Sequence, residues 1–248
     1  MLKILFVALL ATSWSLAGEI NVAVAANVSY SIDELKAEFA KSHPETKVRV
    51  TLGGSGKLTA QIKNGAPYGI FMSANMRYPE ALFEDKLAVT KPIVYAKGAL
   101  AYFSVKPRDF SRGARLLKEE SVSKIAIANP KTAPYGKAAE RALRNAGVYE
   151  DVQSKFVYAE SISQVVSYAV TAADVGIIAK SSLYSSTMSQ YEENVNWASV
   201  NPKLYSPINQ GIVLLKYGEN SKECRAFYDF ILSDKAKEIF KRYGYVAQ

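Results

Sequence analysis

Leu52-Gly53-Gly54-Ser55-Gly56-Lys57 stands between two different hydrophobic rhythms. Before it, Val48-Arg49-Val50-Thr51-Leu52 alternates apolar and polar residues, the period of a strand. After it, Leu58 and Ile62 lie four apart, the spacing of one helix face. Gly53–Gly56 is therefore predicted to be a strand-to-helix turn. Its glycines allow a ligand close to the backbone, with no Cβ in the way. The following helix offers unpaired N–H groups and the positive end of its dipole, and Ser55 adds a hydroxyl. Such a turn suits a small anion. Taken alone, it also reads as a flexible glycine turn.

Spacing tests two catalytic alternatives. A phosphate-binding P-loop needs Gly five places before its Gly-Lys pair and Ser or Thr after it. Those positions hold Thr51 and Leu58. A nucleophile elbow needs Gly two places after the serine, and that place holds Lys57. Both fail. An anion cradle remains, and it needs support from elsewhere in the chain.

The chain supplies further junctions of the same kind. Glu19 to Ala26 reads as a buried strand and runs into Asn27-Val28-Ser29. Ser31 with Glu34 has the spacing of a capping box, followed by a helix that stops before Pro44. Gly65 is a natural stop for the helix after Ser55. Lys124–Ala128 reads as a strand, and Pro134-Tyr135-Gly136 leads into an amphipathic helix closed by Gly147. Lys155–Tyr158 is a strand, and Ser161 with Gln164 forms a second capping box before a helix to about Ala172. Lys180–Glu193 is polar and irregular, and the closing helices follow from Asn220. Strands alternating with helices predict α/β layers with a largely parallel sheet, laid out twice.

Composition narrows the function classes. The chain has 248 residues, 49% of them hydrophobic, enough for one large or two small domains. Its net charge is +8, but the basic residues are interspersed with acids and no run of five Lys/Arg occurs. The charge reads as a solvated surface, and no nucleic-acid partner is expected. One Cys and one His exclude an internal disulfide and leave no His/Cys cluster with metal-ligand spacing. His43, beside Pro44, reads as a surface group at a helix end. Residues 1–17 carry Lys3, an apolar run from Ile4 to Ala11, and Ser15-Leu16-Ala17. That is the pattern of a secretory signal cleaved after about Ala17, too short for a full membrane span.

Val22-Ala23-Val24-Ala25-Ala26-Asn27, the Leu52–Lys57 stretch, Gln61-Ile62 with Gly65-Ala66-Pro67, Phe71-Met72-Ser73-Ala74, Ala133-Pro134-Tyr135-Gly136 and the ending Ala236–Gly244 together resemble the periplasmic molybdate-binding proteins of ABC transporters. The resemblance runs through nearly the whole chain after residue 17. It rests on the order and spacing of these motifs and not on any one of them.

The resemblance implies a two-lobed periplasmic binding protein of type II, each lobe a mixed, mostly parallel sheet flanked by helices. Lobe I would take residues 18–96 and 208–248, and lobe II residues 97–207. It implies molybdate or tungstate in the cleft, held by neutral donors with no metal ligated directly and no cofactor. By position, those donors are Ala26, Asn27, Ser55, Tyr135 and Ile162, with Tyr135 and Ile162 giving backbone N–H groups. An ABC permease is the implied partner, a monomer the implied state, and no enzymatic activity is expected. Many members carry a ligating Tyr where this chain has Ala179, and an Asp where it has Gly69. The number of second-lobe donors therefore stays open. Another oxyanion, sulfate or phosphate, is the alternative ligand. A secreted hydrolase using Ser55 is disfavoured by the elbow spacing and the lone His43. The ligand domain of a transcription regulator is disfavoured by the leader.

Overall fold

The computed structural model describes residues 18–246. The expected leader, residues 1–17, lies outside the described residues. In chain order the elements are β1 (Glu19–Ala25), α1 (Ile32–Ala40), β2 (Lys47–Gly53), α2 (Ser55–Lys63), β3 (Ile70–Met72), α3 (Arg77–Glu84), β4 (Ile93–Gly98) and β5 (Leu100–Phe103). Then come β6 (Ile125–Ala128), α4 (Pro134–Asn145), α5 (Tyr149–Val152), β7 (Phe156–Ala159), α6 (Ile162–Thr171), β8 (Val175–Ala179), β9 (Trp197–Ser199), β10 (Ile208–Leu214), α7 (Lys222–Ile231) and α8 (Asp234–Arg242).

The strands form two five-stranded sheets, ordered β2-β1-β3-β10-β4 and β7-β6-β8-β5-β9. Each sheet repeats one plan. A central strand (β1, β6) is flanked by two parallel neighbours, and an antiparallel strand that has crossed from the other lobe (β10, β5) is inserted beyond the third. This is the two-lobed α/β architecture expected. The first crossing falls at Ala99, since Lys97 and Gly98 still pair with Asn209 and Ile208 of β10. β9 was not foreseen in the polar stretch before Pro202; it pairs with the edge of β5.

β1 is apolar along nearly its whole length because both its faces are covered, the usual condition of a parallel sheet. Val22 and Val24 join a cluster with Leu35, Phe39, Phe227 and Phe240. Ala23, facing the other way, joins Leu58, Phe71 and Leu82. The second lobe has its own core around Phe103, Ile127, Leu143, Val165 and Ile178. Ala25, Ala26 and Ala74 of the first lobe pack against that core, so the cleft is closed at its base. The two predicted glycine stops hold, with Gly65 at φ 84° and Gly147 at φ 69°, a region costly for other residues.

The capping box expected at Ser31 and Glu34 does not form. A 3-10 turn, Ala26–Tyr30, runs directly into α1 and leaves Ser31 in a helical conformation, φ −109° and ψ −11°. A capping serine needs extended backbone to reach forward. Ser31 Oγ instead donates back to Val28 O at 3.2 Å, and Glu34 pairs with Arg242 of α8.

Candidate anion site at the lobe junction

Two parallel pairs define the site. In β1/β2, Ala25 lies opposite Gly53; in β6/β7, Ala128 lies opposite Ala159. All four strands therefore end level within their pairs, and each chain turns at its carboxyl end toward a helix. Ligands of open α/β sheets sit outside these ends. Ala26, Asn27, Ser55, Tyr135 and Ile162 follow the four turns, and all five line one small cavity. Its volume is about 10 Å³, at the lower limit for a single water, so a larger bound group requires the lining to move apart. No charged side chain is among its lining residues.

Each turn starts a helix at the cavity for a local reason. Ala26 and Asn27 open the 3-10 turn, whose N-cap, Ala25, has no side-chain oxygen to occupy them. Ser55 opens α2 behind Gly54, which likewise cannot cap. Tyr135 follows Pro134 at the start of α4, behind Ala133. Proline has no N–H to satisfy, so Tyr135 is the first donor of that helix. Ile162 opens α6 behind Ser161. Here the cap does form, with Ser161 Oγ accepting from Gln164 N at 3.3 Å. Gln164 Oε1 passes the serine, however, and accepts from Glu160 N at 2.8 Å. The first residues of three α-helices and one 3-10 turn thus line one cavity. Each α-helix contributes on the order of half a positive charge there.

Ser55 is 1% exposed. Its Oγ accepts the Ala74 N–H at 3.0 Å, and its carbonyl accepts from Thr59 Oγ1 at 2.7 Å. A hydroxyl has one proton, and that proton is left free to donate. Tyr135 Oη accepts from Gln210 Nε2 at 3.2 Å. Asn27 Nδ2 donates to Gln210 Oε1 at 2.8 Å and to Tyr245 Oη at 2.9 Å.

Contacts also cross the cleft. Gly56 N donates to Thr132 O at 3.1 Å, and Lys57 Nζ lies 3.2 Å from Glu160. Ser181 Oγ donates to Asn27 O at 3.2 Å. This serine lies two residues after Ala179, so the segment that follows β8 reaches the site through Asn27. Outside the cavity lies a wider polar recess of about 570 Å³, lined in part by Ser29, Lys57, Gln61, Glu160 and Gln164.

Sequence reasoning missed the buried polar group behind the cavity: Tyr95, Gln210 and Tyr245. Burial raises the pKa of Tyr95, Tyr135 and Tyr245 above the ordinary 10, so all three stay protonated donors. One signal was present, the polar pair Asn209-Gln210 inside the strand Ile208–Leu214. Tyr245 offered none, being one aromatic among many in and just after the closing helices.

Comparison with known proteins decides the family. A model of bacterial extracellular solute-binding proteins matches residues 20–246. This chain belongs to that family. Among curated solute-binding relatives, a molybdate-binding protein of Rhodobacter capsulatus is 38% identical over 94% of this chain and 90% of its own length. One from Azotobacter vinelandii is 35% identical over 94% and 91%. The solved periplasmic molybdate-binding protein of Azotobacter vinelandii superposes with a TM-score of 0.84 at 30% identity, covering 92% of this chain and 99% of its own. A sulfate-binding protein of Mycobacterium tuberculosis, at 12% identity and TM-score 0.74, shares the fold.

Proposed function

We propose that this solute-binding protein captures molybdate or tungstate between its lobes and hands it to an ABC permease. The observation that carries the reading is the cavity lining, in which residues from four strand-to-helix turns come together without a charged side chain. Molybdate has no proton at neutral pH and only accepts hydrogen bonds. A pocket of donors matches it. Phosphate keeps a proton at pH 7, and that donor would go unpaired at a cost of about 1–3 kcal/mol. Sulfate is proton-free, so only size can reject it. A cavity spaced for longer metal–oxygen bonds leaves sulfate short of some donors. Each charge-assisted bond contributes about 1.5–3 kcal/mol, and losing two lowers affinity roughly a hundred-fold or more.

In this reading the donors are the N–H groups of Ala26, Asn27, Tyr135 and Ile162 with the hydroxyl of Ser55. The jaws are residues 18–98 with 208–248, and 100–207. The protein works as a periplasmic monomer after losing residues 1–17, needs no cofactor, and releases its ligand chemically unchanged. Closure completes the site because donors come from both jaws, and the closed face is what the permease meets.

Calorimetry of the ligand-free protein with molybdate, tungstate, sulfate and phosphate tests this. Strong heats are expected with the first two only. Equal affinity for molybdate and sulfate would remove the size argument, and silence toward all four would remove the function.

A further inference from the structure

Asn27 is fully buried at the cavity, yet its Oδ1 has no hydrogen-bond partner among the described residues. Both protons of its Nδ2 are committed behind the site, to Gln210 Oε1 at 2.8 Å and to Tyr245 Oη at 2.9 Å. Gln210 Oε1 also accepts from Tyr95 Oη at 2.8 Å, and Gln210 Nε2 donates to Tyr135 Oη at 3.2 Å. In this arrangement the cavity residue Asn27 holds a buried acceptor with no donor, beside the space the ligand would fill. A buried unpaired polar atom is costly. A proton-free oxyanion cannot satisfy this acceptor, and would repel it.

The amide of Asn27 has the same shape when turned over about its last bond. Turning Asn27 alone would set its Oδ1 against Gln210 Oε1, two acceptors facing each other. Turning both amides restores every bond between the side chains, at the expense of the one from Tyr245 Oη to Asn27 O. Gln210 Nε2 then donates to Asn27 Oδ1 and to Tyr95 Oη. Tyr95 passes its proton to Ser73 O, already 3.5 Å away. Tyr135 Oη donates to Gln210 Oε1. Tyr245, now bonded to Asn27 O at 2.8 Å, donates to Asn27 Oδ1, while Ser181 keeps Asn27 O. Asn27 Nδ2 is released toward the cavity with both protons free.

We propose that Gln210 is a positioning residue: it sets which end of the Asn27 amide faces the ligand, and the two amides turn over together when an oxyanion enters. The proposal rests on the oxyanion-binding reading above. It ties the two jaws together, because Gln210 and Asn27 belong to one and Tyr135 to the other.

Two measurements test it. In the ¹⁵N-labelled protein, saturating molybdate should shift the side-chain NH₂ signals of Asn27 and Gln210 together, alongside the backbone amides of Ser55, Tyr135 and Ile162. In calorimetry, Gln210→Met should weaken molybdate binding about tenfold in the natural chain and less than twofold in an Asn27→Ala background, because Gln210 acts through Asn27. A merely structural role would give the same loss in both backgrounds. Backbone shifts without side-chain shifts, or equal losses in both backgrounds, overturn the proposal and leave the oxyanion reading standing. No shift at any of these amides overturns both.

Discussion

The N–H of Gly56 donates to the carbonyl of Thr132 across the cleft at 3.1 Å, so the closed lobes touch through bare backbone. A Cβ on Gly56 would lie 2.9 Å from that carbonyl and 2.7 Å from Tyr78 Oη. Opening the cleft relieves the clash with Thr132, and Tyr78, in the same lobe as Gly56, can swing its hydroxyl end aside. Gly56 lies in the first turn of α2, where alanine is the better helix former by up to about 1 kcal/mol. Gly56→Ala is therefore expected to melt no lower than the natural protein without ligand, yet to bind molybdate about tenfold more weakly. Parallel melting and calorimetry check both halves; a variant that binds normally would show that this contact does not limit closure.

Ser55→Ala is expected to do two things. Removing the hydroxyl takes one donor from the ligand, which lowers affinity roughly tenfold or more. It also strands the buried Ala74 N–H, whose partner is Ser55 Oγ. A buried unpaired N–H costs about 1–3 kcal/mol, so the ligand-free melting point should drop as well. From sequence Ser55 read only as a ligand group. Its structural bond to a residue 19 positions away is a tertiary fact.

Lys57 separates steering from ligation. It is 64% exposed and pairs with a still more open Glu160, an arrangement that contributes at most about 1 kcal/mol. It lines the outer recess and not the inner cavity. Lys57→Ala should slow molybdate association severalfold at low salt, with little effect at high salt and little change in dissociation. Stopped-flow kinetics at two ionic strengths decide this. A large increase in the dissociation rate would place Lys57 among the ligands.

Gly69 is held to glycine by packing. A Cβ there would run into Cys224 Sγ, the first buried side chain of α7. Gly69→Ala should destabilise the protein by about 1–3 kcal/mol through overpacking, and most of that should return in Gly69→Ala with Cys224→Ala. Urea unfolding of the four chains in this cycle measures the coupling. Independent, additive losses would mean that the backbone, and not Cys224, requires glycine at 69.

Much of the frame was legible because it is local. The turns after Ala25, Leu52, Ala128 and Tyr158 showed as changes of hydrophobic period, and their order carried the two-lobed plan. What stayed hidden depends on distant partners. Ser31 and Glu34 had the spacing of a cap, but the 3-10 turn before them and Arg242 claimed both residues. Asn27 was legible as a site residue. Its bonds to Gln210 and Tyr245 span 183 and 218 positions, and no local pattern encodes such pairing.

The same buried tyrosines fix the pH response. Tyr95, Tyr135 and Tyr245 all have raised pKa values, burial being the largest cause in each. A group whose folded pKa is raised stabilises the fold fully below its unfolded value. That value is near 10 for tyrosine. Above it the unfolded chain ionises while the folded one resists, and the contribution is lost as pH rises further. Stability should therefore begin to fall above about pH 10. Between about pH 6 and 9 no group lining the cavity changes charge, so molybdate affinity should stay level within about twofold. Calorimetry at three pH values and melting curves up to pH 11 test the two statements separately. A steep change of affinity near neutrality would require a titrating group at the cavity that its eleven lining residues do not supply.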